Sequence, residues 1–175
     1  MDELHVRYVG GFVADADGLL AALRRETAWD TRMRARLTAS FGVAYNYSQL
    51  TYPDAPFPPR LLALRERLEP LLGHPLTNCL ANLYEDGTRT MGWHSDSEPA
   101  IRAGSSIAVV SLGAARPLEF RLKGTVELAR SVLLEPGSLL VMAPSVQELW
   151  QHRLPRADGA SARLSLTFRE IVAER

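Results

Sequence analysis

The first half of the chain contains two stretches with the apolar spacing of amphipathic helices. In residues 15–28, leucines recur at helical spacing after an acidic start. A second run of leucines follows Pro59, a residue type favoured in the first turn of a helix. We expect Pro70 and Gly73 to end this second helix. The pattern therefore predicts two helices in the N-terminal part of the chain.

The remaining segments have the short periodicity of strands and turns. Residues 31–52 are rich in Thr, Tyr and Phe and predict a β-hairpin, and a proline-punctuated loop follows as far as residue 59. From Thr77 onward, short apolar runs predict a series of strands. Residues 85–88 have the composition of a hairpin turn, and residues 135–138 that of another tight turn. Two helices followed by many short strands predict an α+β chain with a jelly-roll core.

Polar and apolar residues alternate strictly in residues 163–169. One face of this predicted strand is apolar, and the other carries Arg163, Ser165, Thr167 and Arg169. A solvated edge is one interpretation of two arginines on a strand face. The other is a binding site, because guanidinium groups bind carboxylates in bidentate fashion. Two such guanidinium groups on one strand face could bind the two carboxylates of a dicarboxylate ligand.

Three residues have the spacing of a metal site. His94 and Asp96 lie two residues apart, so on a strand both side chains point to the same face. His152, far along the chain, can complete three ligands on one side of a metal. Two imidazoles and one carboxylate form the facial triad of non-haem Fe(II) oxygenases, which leaves positions open for co-substrate and O2. Zinc is the alternative metal for the same ligands.

Residues 78–169 resemble the catalytic half of the AlkB family of Fe(II)/2-oxoglutarate dioxygenases. Several independent motifs occur in the family's order: Asn82-x-Tyr84, Trp93-His94-Ser95-Asp96-Ser97-Glu98, residues 107–113, 137–142 and 150–155, and the pair Arg163 and Arg169. A weaker likeness extends back through residues 36–38 and 45–48, where the family builds its substrate lid. The resemblance implies a double-stranded β-helix (jelly-roll) core with N-terminal helices and a β-hairpin substrate lid.

The resemblance also implies roles for the residues around the metal. His94, Asp96 and His152 would bind Fe(II). Arg163 would bind the distal carboxylate of 2-oxoglutarate, and Arg169 the carboxylate next to the keto group. The co-substrate would receive further hydrogen bonds from Asn82 and Tyr84. Where the family usually has Asn this chain has Ser165, a shorter hydrogen-bonding side chain at the same co-substrate site.

The implied reaction is oxidative demethylation of N-alkylated bases in DNA or RNA, with release of formaldehyde. A base within a duplex cannot reach the iron, so the substrate would be single-stranded or flipped out. Tyr45 and Tyr47 occupy positions where the family keeps base-stacking aromatic residues, and Glu98 the position of an acidic group near the lesion. A cross-strand aromatic pair and a solvated turn are the structural alternatives for these residues.

Composition limits the class of protein. The 175 residues predict a single domain, with helices and lid in 1–76 and the jelly-roll core in 77–175. Cys79 is the single cysteine, so an internal disulfide is excluded and a buried side chain is expected. No signal peptide or membrane-length apolar run is apparent, and we expect a cytoplasmic enzyme without an obligate protein partner.

The net charge of the chain does not identify the substrate. Twenty basic and twenty acidic residues give no net charge, whereas nucleic-acid-binding proteins are often basic. The dense stretch Arg32-Met33-Arg34-Ala35-Arg36 is a candidate contact for a nucleic-acid backbone, as are Arg24, Arg25 and Arg60. The alternatives are an oxygenase acting on a protein or small molecule, and a jelly-roll module that binds metal without turnover.

Two tryptophans and two histidines have no predicted catalytic role. Trp93 and Trp150 are expected to pack in the core, turned away from the metal face. His5 and His74 lie outside any motif and are expected at the surface.

Overall fold

A computed structural model describes residues 3–47, 49–96 and 100–172, apart from the side chain of Tyr47. In chain order the elements are β1 (Val6–Val9), α1 (Ala16–Glu26), β2 (Leu37–Gly42), β3 (Tyr45–Tyr47), β4 (Leu50–Tyr52), α2 (Pro59–Leu72), β5 (Asn78–Tyr84), β6 (Met91–His94), β7 (Ile107–Gly113), β8 (Arg116–Leu122), β9 (Arg130–Leu134), β10 (Leu139–Met142), α3 (Pro144–Leu149), β11 (Trp150–Leu154) and β12 (Arg163–Arg169). The α+β prediction is confirmed, and β1 and α3 are additions to the predicted elements.

Two antiparallel sheets form the core. The larger sheet has six strands in the order β1-β10-β7-β12-β5-β2, and the smaller has four in the order β6-β11-β8-β9. Apolar residues of both sheets pack in one cluster, where Ile107 and Leu140 of the larger sheet meet Phe120 and Leu134 of the smaller. Two sheets that share a buried interior, with strands that cross between them, form the expected jelly roll.

Helices α1 and α2 cover the outer face of the six-stranded sheet. Leu23 of α1 and Leu61, Leu64 and Leu68 of α2 are buried in one cluster with the apolar face of β12. The strict alternation in β12 makes this possible, because Leu164, Leu166 and Phe168 face the helices while the polar residues between them face the other sheet. The helices thus bury one face of the sheet and leave the opposite face for a site.

Pro70 does not end the second helix. Helix α2 continues to Leu72 with Pro70 inside its last turns, and it stops at Gly73, which has the left-handed φ of 75°. Pro70 lies in the last turn, where few backbone hydrogen bonds remain for it to disturb, whereas glycine readily adopts the left-handed conformation that closes a helix. The start at Pro59 is confirmed, as is an acidic start for α1, where the Asp15 side chain accepts a hydrogen bond from the Gly18 amide.

Residues 85–88 do not form a hairpin turn. They lead from β5 in the larger sheet to β6 in the smaller, and these two strands are not paired. Gly87 is required there because a Cβ atom would lie 1.6 Å from the Ala157 carbonyl oxygen. The predicted tight turn at residues 135–138 is present, with the Ser138 amide donating to the Glu135 carbonyl, but it too connects different sheets. Local composition identified the turns and could not specify which strands pair.

Residues 31–52 form less of a hairpin than expected. Strand β2 joins the edge of the six-stranded sheet beside β5, and only β3 and β4 form a separate hairpin. The hairpin is attached to β2 by a hydrogen bond of 2.7 Å between the Tyr52 and Thr38 hydroxyls. None of the helices in the described residues is long and apolar enough to span a membrane.

Candidate active site

The three predicted metal ligands converge. His94 ends β6 and pairs directly with His152 of β11, so the pairing of two strands places the imidazoles side by side. Asp96 follows two residues after His94, with a carboxylate oxygen 3.7 Å from His94 Nε2. One ligand atom of each residue lies within 4.8 Å of the others. The spacing is that of three donors around one divalent cation.

The electrostatics of the site hold its donors in metal-binding form. Burial lowers the pKa of His152 to about 3, aided by the neighbouring His94, so its imidazole is neutral near pH 7. Burial acts to raise the pKa of Asp96, but attraction from Arg169, His152 and His94 outweighs it and lowers that pKa to about 2. Metal binding requires deprotonated ligands, and both groups meet that requirement without the ion.

Neighbouring groups fix the orientation of the ligands. The Asp96 amide donates to Gln147 Oε1 of α3 at 2.7 Å, and the Ser95 hydroxyl donates to the Trp150 carbonyl at 2.6 Å. His94 Nδ1 lies 2.8 Å from the Gly92 carbonyl, an acceptor that places the proton on Nδ1 and leaves Nε2 for a metal. Gln147 is a functional residue that sequence reasoning missed, because its partner lies 51 positions away.

Beside the triad lies a cavity between the two sheets. Its lining includes every predicted metal and co-substrate residue: Asn82, Tyr84, His94, Asp96, His152, Arg163, Ser165 and Arg169. Strands β5 and β12 pair with Ser165 opposite Asn82 and Arg163 opposite Tyr84, which brings these side chains to the same face of the larger sheet. The polar face of β12 is therefore a cavity wall, and the solvated edge is excluded for it.

Arg163 is a buried cation without a carboxylate partner among the described residues. Its guanidinium donates to the Ser111 hydroxyl at 3.0 Å, and Arg116 is a second buried guanidinium close enough to repel it. Burial lowers the pKa of Arg163 to about 10, with attraction from Tyr84 opposing and repulsion from Arg116 adding to the effect. A buried cation in this environment is stabilised by an anionic ligand, so the site fits a carboxylate.

Arg169 connects the two halves of the cavity. Its Nη2 lies 3.1 Å from Asp96 Oδ2, and both side chains are 4% exposed. The guanidinium carbon also lies 5.3 Å from the centre of the Tyr45 ring in the β3–β4 hairpin. Arg169 therefore contacts a metal ligand on one side and the predicted substrate lid on the other.

The predicted substrate contacts are placed less completely. The Tyr45 side chain is only 1% exposed and packs with Tyr52, Leu80 and Ile171. Its ring therefore lies at the base of the hairpin next to Arg169, without an open face for a nucleobase in this structure. The Tyr47 side chain and Glu98 lie outside the described residues, and their roles stay predictions.

Several arginines predicted to contact nucleic acid have protein partners instead. Arg36 is 6% exposed, and its Nε donates to Asn82 Oδ1 at 2.8 Å. Arg32 is ion-paired with Asp30, and Arg25 and Arg60 are both ion-paired with Glu26. The backbone-contact interpretation is therefore wrong for Arg36, and the other three are exposed and share two acidic partners, Asp30 and Glu26. Charge density in the sequence could not reveal these pairings.

Both tryptophans differ from expectation. Trp150 is buried in the core as predicted, but it shares the inner face of β11 with His152, because residues two apart on a strand point the same way. Trp93 is only half-buried and lies on the opposite face of the smaller sheet from His94. There the guanidinium groups of Arg121 and Arg153 stack on its ring at 4.4 and 4.7 Å. Core packing was the wrong expectation for Trp93.

The predicted burial or exposure holds for Cys79 and His5 but not for His74. Cys79 is fully buried, and burial raises the pKa of its thiol, so it is inert as expected. His5 is exposed. His74 is only partly exposed, and it has protein partners: its Nδ1 lies 3.3 Å from the buried Glu170 carboxylate, and its Nε2 accepts a hydrogen bond from the Ser106 amide.

Comparison with known proteins gives a consistent result. The sequence profile of the 2OG-Fe(II) oxygenase superfamily matches residues 22–169. Alpha-ketoglutarate-dependent dioxygenase alkB homolog 3 of Rattus norvegicus is 35% identical over 94% of this chain and 63% of its own length. DNA oxidative demethylase ALKBH2 of Mus musculus is 36% identical over 89% of this chain and 69% of its own. The chain thus spans slightly under two thirds of the alkB homolog 3 relatives.

A solved structure supports the fold independently. The structure of OsALKBH1 superposes with a TM-score of 0.69 and covers 97% of this chain and 98% of its own. Its sequence identity is 16%, so this match concerns the architecture alone.

Proposed function

The chain belongs to the AlkB family within the 2OG-Fe(II) oxygenase superfamily, and we propose that it removes N-alkyl groups from bases in DNA or RNA by oxidative demethylation. One observation carries the proposal. One cavity between the two sheets is lined by a carboxylate and two imidazoles of the predicted metal site and by two arginines of β12. This arrangement matches a divalent metal together with a dicarboxylate co-substrate.

The residues divide the work of holding the reactants. His94, Asp96 and His152 would hold Fe(II), and Gln147 keeps the Asp96 backbone in place. Arg163, which has no carboxylate partner among the described residues, would bind the distal carboxylate of 2-oxoglutarate. Arg169 would bind the carboxylate next to the keto group, with hydrogen bonds added by Asn82 and Tyr84. Fe(II), when bound, supplies the activation of O2 that the oxidation of 2-oxoglutarate requires.

The two oxygen atoms of O2 have separate destinations. One is incorporated into 2-oxoglutarate, which loses CO2 and becomes succinate. The other is inserted into a C–H bond of the N-methyl group, giving an N-hydroxymethyl product that releases formaldehyde and leaves an N–H group on the base. The cavity between the sheets contributes by orienting the reacting groups beside the metal ligands.

The proposed substrate is single-stranded nucleic acid or a base flipped out of a duplex, because the metal ligands lie in a cavity between the sheets that a paired base cannot enter. The β3–β4 hairpin adjoins this cavity through Tyr45 and Arg169. We expect the hairpin to contact the substrate, with Tyr47 and Glu98 as further substrate contacts. The relative named a DNA oxidative demethylase supports this assignment.

A second candidate is an oxygenase of the same chemistry that acts on a protein or a small molecule. It is favoured by the acidic partners of Arg25, Arg32 and Arg60, which weaken a basic surface on the helix and lid side. The two candidates share the metal and co-substrate and differ only in the compound that is oxidised.

Incubation of the protein with Fe(II), 2-oxoglutarate and an oligonucleotide containing N1-methyladenine or N3-methylcytosine tests the proposal. We expect formaldehyde and succinate in equal amounts, and none with His152→Ala. Succinate without formaldehyde would favour the second candidate. Absence of both products at full iron occupancy would contradict the proposed demethylation of these bases.

A further inference from the structure

Arg36 is a buried arginine that lies far in sequence from the predicted catalytic motifs. It contacts Asn82, which lines the cavity. It directly precedes β2, the strand that pairs with β5 so that Thr38 lies opposite Asn82. Side chains two residues apart on a strand share a face, so Arg36 lies on the side of β2 that carries Thr38. Its Nε donates to Asn82 Oδ1 at 2.8 Å, and both side chains are buried.

This hydrogen bond determines which end of the Asn82 amide faces the cavity. A guanidinium group has only donors, so the atom that it contacts must be the amide oxygen. The Asn82 Nδ2 group is then directed elsewhere, and it has no protein acceptor among residues 3–47, 49–96 and 100–172. Asn82 lines the cavity beside Ser165 and Arg163. A carboxylate or keto oxygen bound there requires donors, and a fixed amide supplies two.

We propose that Arg36 is a positioning residue for the co-substrate, which holds the Asn82 amide with its NH2 group toward 2-oxoglutarate. The inference rests on the proposed use of 2-oxoglutarate at this site. Without Arg36, the amide can rotate and present its oxygen to a carboxylate, which repels it. Pre-organisation of this kind raises affinity by removing the unproductive orientation before the ligand binds.

Calorimetric titration of 2-oxoglutarate into the protein loaded with Mn(II), a redox-silent substitute for Fe(II), tests this role. We expect Arg36→Met to weaken 2-oxoglutarate binding about 10-fold, the size of one lost hydrogen bond to a charged group. Arg36→Lys, which keeps a donor, is expected to recover most of this loss. Mn(II) affinity is expected to be unchanged in both variants, because the metal ligands do not contact Arg36. Arg34→Met, an exposed neighbour, serves as the matched control with wild-type affinity.

A double-variant comparison separates this role from general stabilisation. If Arg36 acts through Asn82, Arg36→Met has no further effect on 2-oxoglutarate binding in an Asn82→Ala background. An equal loss in both backgrounds, or wild-type affinity in Arg36→Met, would overturn the proposal.

The Asn82→Asp variant tests the idea even if Arg36→Met does not fold. The introduced carboxylate still accepts from Arg36, which preserves the buried contact, but it presents an oxygen instead of an NH2 group to the cavity. We expect weaker 2-oxoglutarate binding than in Asn82→Ala at an unchanged melting temperature, and binding equal to wild type would refute the inference. Failure of the unsubstituted protein to bind 2-oxoglutarate would instead remove the proposed function, and the inference with it.

Discussion

The two walls of the cavity come from different sheets and carry different charges. The four-stranded sheet and the segment after β6 supply the proposed metal ligands, and there the Asp96 carboxylate is balanced by Arg169 and the His152 imidazole is neutral near pH 7. The six-stranded sheet supplies Arg163, a buried cation that no described carboxylate balances. The wall that carries His94, Asp96 and His152 (the metal wall) therefore suits a cation. The wall that carries Arg163 and Arg169 (the opposite wall) suits an anion.

The difference shows why a jelly roll suits such a site. A donor set for a metal needs residues from strands that pair directly, as His94 and His152 do. A dicarboxylate needs cations spaced along one strand, as Arg163 and Arg169 are on β12. Face-to-face packing of the two sheets brings these sets together, and the Asp96–Arg169 ion pair joins them. Substitutions of residues outside this ion pair should therefore have separable effects on metal affinity and on 2-oxoglutarate affinity.

The largest effect is expected on the metal wall. His152→Ala removes one of three metal ligands, so we expect metal affinity and succinate formation to fall by more than about 100-fold, beyond the loss caused by residues that only support a ligand. Metal affinity measured with Mn(II) or Co(II), beside succinate assays, checks this. Near-normal turnover would show that the metal site is wrongly assigned.

On the opposite wall, Arg163→Met should weaken 2-oxoglutarate binding about 100-fold while metal affinity stays normal, because it removes a buried charge-assisted contact. Arg163→Lys should restore part of the affinity, since a lysine keeps the charge but loses the bidentate geometry. Calorimetry on Mn(II)-loaded protein measures both. Loss of metal binding in Arg163→Met would show that the two walls do not act separately.

A smaller effect is expected from substitution of Gln147, which holds the backbone of the metal ligand Asp96. Gln147→Leu removes the acceptor for the Asp96 amide, and we expect about 10-fold weaker metal binding, as for other residues that orient a ligand. Gln147→Glu, which retains an acceptor at this position, is the matched control. Unchanged metal affinity in the leucine variant would mean that the turn holding Asp96 is rigid without α3.

The smallest effect concerns stability against pH in the metal-free protein. Because the pKa of His152 is lowered from 6.5 to about 3 on folding, the unfolded chain gains a proton below pH 6.5 that the folded protein does not. Stability is therefore full above pH 6.5 and falls as the pH drops toward 3, by about 2 kcal/mol between pH 6.5 and pH 5. Asp96 adds a further loss between pH 3.8 and about 2.

Urea unfolding at several pH values in the presence of a chelator measures this slope. His152→Leu should flatten it in the window between pH 6.5 and 3. A slope that persists unchanged in the leucine variant would assign the pH dependence to other groups.

The sequence was informative where function follows strand periodicity and not where it depends on which strands pair. Alternation alone placed Arg163 and Arg169 on one face of β12, and two-residue spacing placed His94 beside Asp96. Gln147 and Arg36 were missed or misassigned, because their partners lie 51 and 46 positions away across strand crossings. The apparent hairpin turn at residues 85–88 failed for the same reason, since composition does not specify the sheet that a strand enters.

The Asp96–Arg169 ion pair makes metal binding and 2-oxoglutarate binding interdependent. A cation held at Asp96 would neutralise the carboxylate and weaken its attraction for the Arg169 guanidinium, which would then be free to bind 2-oxoglutarate, so each ligand should strengthen binding of the other. Titration of 2-oxoglutarate into metal-free and Mn(II)-loaded protein measures this coupling directly. We predict at least about 10-fold tighter binding with the metal, a coupling of about 1.4 kcal/mol. Equal affinity in the two titrations would contradict the account.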